Sequence, residues 1–242
     1  MSKLYFVHIP KTAGNSVRSA LRKINVLTNP GYEKWEREHH FAQKFTERII
    51  GQHLSFNTNT FPTFSDKKEY LDADISFTIV RNPFDLLTSY YSHYIDNSLK
   101  KNWIDYGWAN VNGYHNFNSF KDFIEFYCNE KPEDWHIPDL SRNIYSQLFD
   151  ENGKCIVDYA IYYDDLELNI NKFLSELSIS NGIIKLERKN VSPGKKKTYV
   201  DFYDEKLKNM VLKKCQKQIK MFGFGFDEKI TKPYINIQTM SI

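Results

Sequence analysis

Apolar positions along the chain fall into two rhythms, short unbroken runs and stripes at helical spacing, and the two alternate. Leu4 to Ile9 is a β-rich apolar run, and Val17, Ala20, Leu21 and Ile24 follow it at a spacing of three and four, so a strand feeds a helix. The pattern repeats at Ile75 to Val80, a second strand, followed by a helix to about Ile95 with Leu87, Tyr90, Tyr91 and Tyr94 as its packing stripe. Ser119 to Glu130 reads as a helix through Phe120, Phe123, Ile124 and Tyr127, with Ser119 and Asp122 in a capping-box-like start. Ile156 to Tyr163 predicts a third strand, and Asp164 or Asp165 caps a helix that turns Leu166, Ile170, Phe173, Leu174 and Leu177 inward. Ile183 to Leu186 predicts a short strand, and Asp204 to Phe222 one last amphipathic helix ended by Gly223. Strands alternating with helices predict an α/β fold, a central, mostly parallel sheet covered by helices on both faces, with ligand bound beyond the strand C-termini.

At 242 residues, with no repeat and no break in composition, the chain reads as a single domain spanning 1–242. Residues 96–118, rich in Asn, Gly, Trp and Tyr, fit no element of ordinary length and read as an insertion on the acceptor side. The 33 basic and 30 acidic residues leave a net charge of +3, too small a bias to argue for nucleic acid, so any positive site is local. Cys128, Cys155 and Cys215 are far apart and odd in number, which fits neither a disulfide framework nor a metal site. No stretch of about eighteen apolar residues occurs, and no basic and apolar leader precedes the first strand, so a cytoplasmic enzyme with no membrane span is the expectation.

Candidate chemistry concentrates in the two strand-to-helix connections. The first reads HIPKTAGNS: Pro10 stops strand pairing, Gly14 permits backbone that a Cβ would forbid, and Asn15 or Ser16 can cap the helix. The first N–H groups of that helix, its dipole and the Lys11 ammonium converge on a volume suited to a phosphate-like dianion. A GxxxxGK[ST] loop carries its lysine after the second glycine, whereas Lys11 precedes Gly14, which disfavours an ordinary ATP site. The second connection, RNPFDLLTS, places Arg81 at a strand end, Asn82 at the N-cap and Pro83 at the first helical position. Asp85, Ser89 and His93 share one face of the helix, and Arg81 and Ser89 can both reach one phosphate.

The run HIPKTAGNSV resembles the 5'-phosphosulfate loop of sulfotransferases that use 3'-phosphoadenosine 5'-phosphosulfate (PAPS), in particular the carbohydrate and membrane-associated branch, the second sulfotransferase family. VRNPFDLLTSYYSHY resembles that family's 3'-phosphate motif, of the form RxPxxRxxSxY; its second arginine is replaced here by Leu86. The resemblance implies a P-loop-containing three-layer fold in which Lys11, Thr12, Ala13, Gly14, Asn15 and Ser16 hold the 5'-phosphosulfate, and Arg81 and Ser89 the 3'-phosphate. It also implies that His53, in the segment Gly51-Gln52-His53, is the catalytic base, and that Lys195 and Lys196, in the late basic loop, close over the nucleotide. Asn143 and Gln147 match positions that face the acceptor, Asn190 and Ser192 a late Asn-x-Ser, and KMFGFGF the family's closing segment.

The implied reaction is in-line transfer of a sulfuryl group from PAPS to an acceptor hydroxyl, a saccharide by the closest resemblance, leaving adenosine 3',5'-bisphosphate (PAP) and needing no metal. Two other readings stay open, a kinase-like phosphotransferase using ATP and Mg²⁺, and a non-catalytic nucleotide or glycan-binding module. The identity of the acceptor is not legible in these residues.

Overall fold

A computed structural model of the chain describes residues 4–7, 9, 12–26, 74–92, 117, 119–129, 148, 155, 157–180, 182–187 and 198–240. They belong to two compact units, each discontinuous in sequence: Met1–Val80, Tyr145–Lys189 and Ile230–Ile242 form one, Arg81–Ile144 and Asn190–Lys229 the other.

The first unit is built on a four-stranded sheet in the order β1-β2-β3-β4. β1 (Leu4–Val7), β2 (Ile75–Val80) and β3 (Tyr159–Tyr162) are parallel, and β4 (Tyr234–Asn236) runs antiparallel at the edge of β3. Phe6 pairs with Phe77 and Phe77 with Tyr159, so the register carries aromatic residues across three strands. β1 is buried along its whole length and β2 at all but its first residue. That is why both read as unbroken apolar runs rather than alternating ones. The hydroxyls that interrupt β2 are satisfied: Thr78 Oγ1 donates to the Val7 carbonyl at 2.9 Å, and Ser76 donates from N and Oγ to Asp158 Oδ2 at 2.7 and 2.5 Å.

Among the described residues two helices pack on this sheet, α1 (Gly14–Lys23) after β1 and α4 (Leu166–Glu176) after β3. Val17, Ala20 and Leu21 of α1 and Ile170, Phe173 and Leu174 of α4 join Leu4, Phe6, Phe77, Ile79 and Ile161 in one apolar core. Phe77 stacks on Phe6 at 4.9 Å and meets Phe173 at 5.4 Å. The mixed α/β class and the mostly parallel sheet expected from the sequence are therefore present.

The second unit begins with α2 (Pro83–Tyr90) and contains α3 (Phe120–Asn129), a 3₁₀ turn at Tyr199–Phe202, α5 (Glu205–Lys214) and α6 (Gln216–Phe222). The last two correct an expectation, since Asp204 to Phe222 is two helices broken at Cys215 and not one. Asp204 caps the first through Leu207 N at 2.8 Å, and Gly223, at φ 68°, closes the second in the left-handed conformation a Cβ disfavours. Ile183 to Leu186 is also not a strand. It is held as irregular chain, Ile184 N donating to Asn171 Oδ1 and Leu186 N to Glu167 Oε2, both on α4. β4 was not foreseen.

Candidate functional site

β1 and β2 are hydrogen-bonded parallel neighbours, so both end at the same edge of the sheet. At each end the chain turns directly into a helix. The turn after β1 is drawn tight by Thr12, which is buried and whose Oγ1 donates to the Ile9 carbonyl at 2.6 Å. The one proton of that hydroxyl is thereby committed to the backbone, and Thr12 can offer an anion its amide but not its side-chain donor.

Ala13 is the N-cap of α1 and sits at φ 61°, ψ 24°. This corrects the expectation that Asn15 or Ser16 caps the helix: no side chain caps α1, and its first turn contains no acidic residue. Left-handed backbone costs a residue with a Cβ about 1 to 2 kcal/mol. Such strain persists where surrounding structure enforces it, commonly at ligand sites. Its effect here is to turn the chain abruptly into the helix, so that Ser16 N and Val17 N donate to the Ala13 carbonyl at 3.0 and 3.2 Å. Among the described residues no acceptor is recorded for the N–H groups of Gly14 and Asn15. Successive amides following a left-handed residue, at the positive end of an uncompensated helix dipole, form a nest with affinity for anions.

The turn after β2 is built differently. Asn82 caps α2 through Oδ1, which accepts from Phe84 N at 3.1 Å, while its Nδ2 donates to the Gly225 carbonyl at 2.7 Å. Pro83 occupies the first helical position, as the sequence predicts. The Phe84 ring meets Phe226 and Tyr203 edge-on at 4.8 and 5.2 Å, and its carbonyl accepts from Tyr203 Oη and Thr88 Oγ1, each at 3.0 Å. Tyr199 Oη bonds the Phe226 carbonyl. The KMFGFGF segment is thus a clamp on the start of α2. Burial pushes the Tyr203 phenol well above its usual value near 10, so it stays a donor at any working pH.

Arg81 is buried, and its Nε donates to Asp85 Oδ2 at 2.6 Å, the two side chains being 6% and 14% exposed. Sequence reasoning placed Asp85 on the face of Ser89 but missed its pairing with Arg81; the spacing of four between opposite charges is the signal that reveals it. Ser89 lies one turn beyond Asp85 and is half-buried.

Lys11, His53, Asn143, Gln147, Lys195 and Lys196 lie outside the described residues, as do the side chain of Asn15 and all of the 96–118 insertion but Phe117. Gly14 and Ser16 are described and buried. Cys128 and Cys215 are free thiols that burial pushes up to about 12 and about 11, which leaves them protonated and poor nucleophiles. Among the described residues no group of His, Cys, Asp or Glu is gathered for a metal ion, and no helix is long and apolar enough to cross a membrane.

Residues 1–225 match the model of the sulfotransferase family. No curated protein and no solved structure matches the chain.

Proposed function

We propose that this chain, which belongs to the sulfotransferase family and so to a family of sulfuryl-transferring enzymes, takes PAPS as its donor and transfers the sulfuryl group to a saccharide hydroxyl, leaving PAP. The domain spans 1–242 as one P-loop-like three-layer fold, whose chain crosses between its compact units at 80/81, 144/145, 189/190 and 229/230.

The observation that carries this reading is the uncapped start of α1, with left-handed Ala13 and an acid-free first turn, directly after a buried parallel strand. The amides of Gly14 and Asn15 and the ammonium of Lys11 bind the 5'-phosphosulfate, with Thr12, Ala13 and Ser16 shaping the loop. As the S–O bond to the phosphate breaks, negative charge grows on the phosphate oxygens. Donors fixed around them bind the transition state better than the donor substrate. Arg81 and Ser89 take the 3'-phosphate, the group that distinguishes this donor from ATP, and Lys195 and Lys196 close over the nucleotide.

His53 takes the acceptor proton as the new bond forms, a role suited to an imidazole and worth about 10² to 10⁴ in rate. His53→Ala therefore lowers turnover while PAP binds as before; lost PAP affinity would assign His53 to donor binding instead. The reaction itself is tested by incubating the protein with ³⁵S-labelled PAPS and a panel of saccharide, lipid, phenol and peptide acceptors. Label in a saccharide supports the full reading, label elsewhere corrects the acceptor, and PAP binding with no transfer to any acceptor overturns the catalytic assignment.

A further inference from the structure

The whole chain carries a net charge of only +3, yet Lys206 to Phe226 holds six lysines and no Asp or Glu, so the rest of the chain is net acidic. This stretch makes up most of α5 and all of α6. Each helix turns an apolar side inward, with Leu207 and Val211 of α5 and Phe222 of α6 buried, and α5 packs on α3. The solvent side carries Lys206 and Lys213 on α5 and Lys217 and Lys220 on α6, all exposed, with Asn209 and Gln216 between them. Two counter-charges stand near the start of α5, where Lys206 Nζ donates to Glu125 Oε1 at 2.6 Å and Lys208 Nζ to Glu205 Oε1 at 3.3 Å. By helical spacing Met210 and Leu212 lie on either side of the α5 lysines, and Ile219 and Met221 on either side of those of α6; all four are partly exposed.

We propose that the exposed face of α5 and α6 is a peripheral contact with an anionic phospholipid surface, on which the protein lies without spanning it. The proposal is independent of the donor and acceptor proposed above. Charge complementarity selects an anionic partner, and the residue types select which one. The stretch contains no arginine, the side chain whose planar fork grips a single carboxylate or phosphate in two places. Lysine is instead a compact, hydrated point charge, and a row of such charges along helix surfaces matches a diffuse field of headgroups. Between Lys206 and Met221 there is no aromatic side chain to stack on a sugar ring or a base. The flanking Met210, Leu212, Ile219 and Met221 suit the apolar boundary just beneath headgroups.

The test is cosedimentation of the full chain with phosphatidylcholine vesicles, with and without phosphatidylserine, at low and high salt. The parent is expected to bind only the vesicles containing phosphatidylserine and to be released by salt. A lysine at such a surface contributes roughly fivefold in affinity, so the combined substitution Lys213→Gln, Lys217→Gln and Lys220→Gln should weaken binding about a hundredfold. The charge-matched control Lys172→Gln, Lys185→Gln and Lys232→Gln, three exposed lysines elsewhere in the chain, should weaken it by less than about threefold. Equal losses in the two triple variants would mean that binding follows net charge and not this face, and would overturn the proposal. So would a parent that does not bind the phosphatidylserine vesicles, including one that binds dextran sulfate in solution instead, which would reassign the face to a soluble polyanion. Should the first triple variant fail to fold, Lys213→Gln alone decides, with a fivefold loss supporting the proposal and unchanged binding contradicting it.

Discussion

The two strand-to-helix turns face the same chemical problem, a helix start with orphan amides, and answer it in opposite ways. After β2 the protein supplies partners itself: Asn82 caps the helix, Pro83 removes one donor, Asp85 stands in the first turn and Arg81 is paired with it. After β1 the described residues supply none of these: Ala13 holds a strained left-handed cap position without a side-chain cap, and the first turn contains no acid to offset the dipole. A self-satisfied turn is stable alone and meets a ligand only through side chains it has aimed, whereas an unsatisfied one gains most from an external anion. The contrast favours the proposed division of labour, in which the reacting phosphosulfate is bound at the first turn, where charge changes during the reaction, and the second serves recognition.

The sharpest way to break this contrast is Lys11→Ala. If the first turn bears the developing charge, kcat/KM falls about a hundred- to a thousand-fold, mostly in kcat; an unchanged kcat moves the chemistry elsewhere. Next in size is Arg81→Ala, expected to weaken PAP by about 2 to 3 kcal/mol by calorimetry and to lower the melting temperature, because the half-buried Asp85 loses its bond to the Arg81 guanidinium. Asn82→Ala removes a cap and the bond to Gly225, and should destabilise the fold by about 1 to 2 kcal/mol in denaturant titration. The smallest effect has the opposite sign. Ala13→Gly relieves the left-handed cap at some cost in chain entropy, a net gain of about 0.5 kcal/mol; a loss of stability would show that Ala13 carries no strain.

Much of this was legible in the chain because it is written in local residues. The buried runs at Leu4 and Ile75, the stripes of α1 and α4, and the Asn82-Pro83 start of α2 follow from periodicity and cap chemistry within a few positions. Cap expectations failed where the backbone overruled the side chain. Ala13 and Asp165 both take left-handed N-cap positions, with no capping bond from a side chain. β4 escaped notice because three half-buried residues carry no usable period, and only pairing with β3, seventy residues earlier in the chain, makes Tyr234–Asn236 a strand. The Cys215 break is equally non-local in origin: the stripe of Leu207, Val211, Cys215, Ile219 and Phe222 continues through it, and nothing in the spacing marks where one helix stops. At the candidate site, motif residues were readable in order along the chain, but the commitment of Thr12 to Ile9 and of Arg81 to Asp85 depends on rotamers that no motif specifies.

The claim that the donor is a nucleotide bearing a 3'-phosphate is tested most directly by melting the protein in PAP, in adenosine 5'-phosphate and in ATP with Mg²⁺ at equal concentration. A ligand at a hundred times its dissociation constant adds about 2.7 kcal/mol to stability. The account predicts a clear rise in melting temperature with PAP and much smaller rises with the other two. Equal shifts for PAP and adenosine 5'-phosphate, or the largest shift with ATP and Mg²⁺, would contradict it.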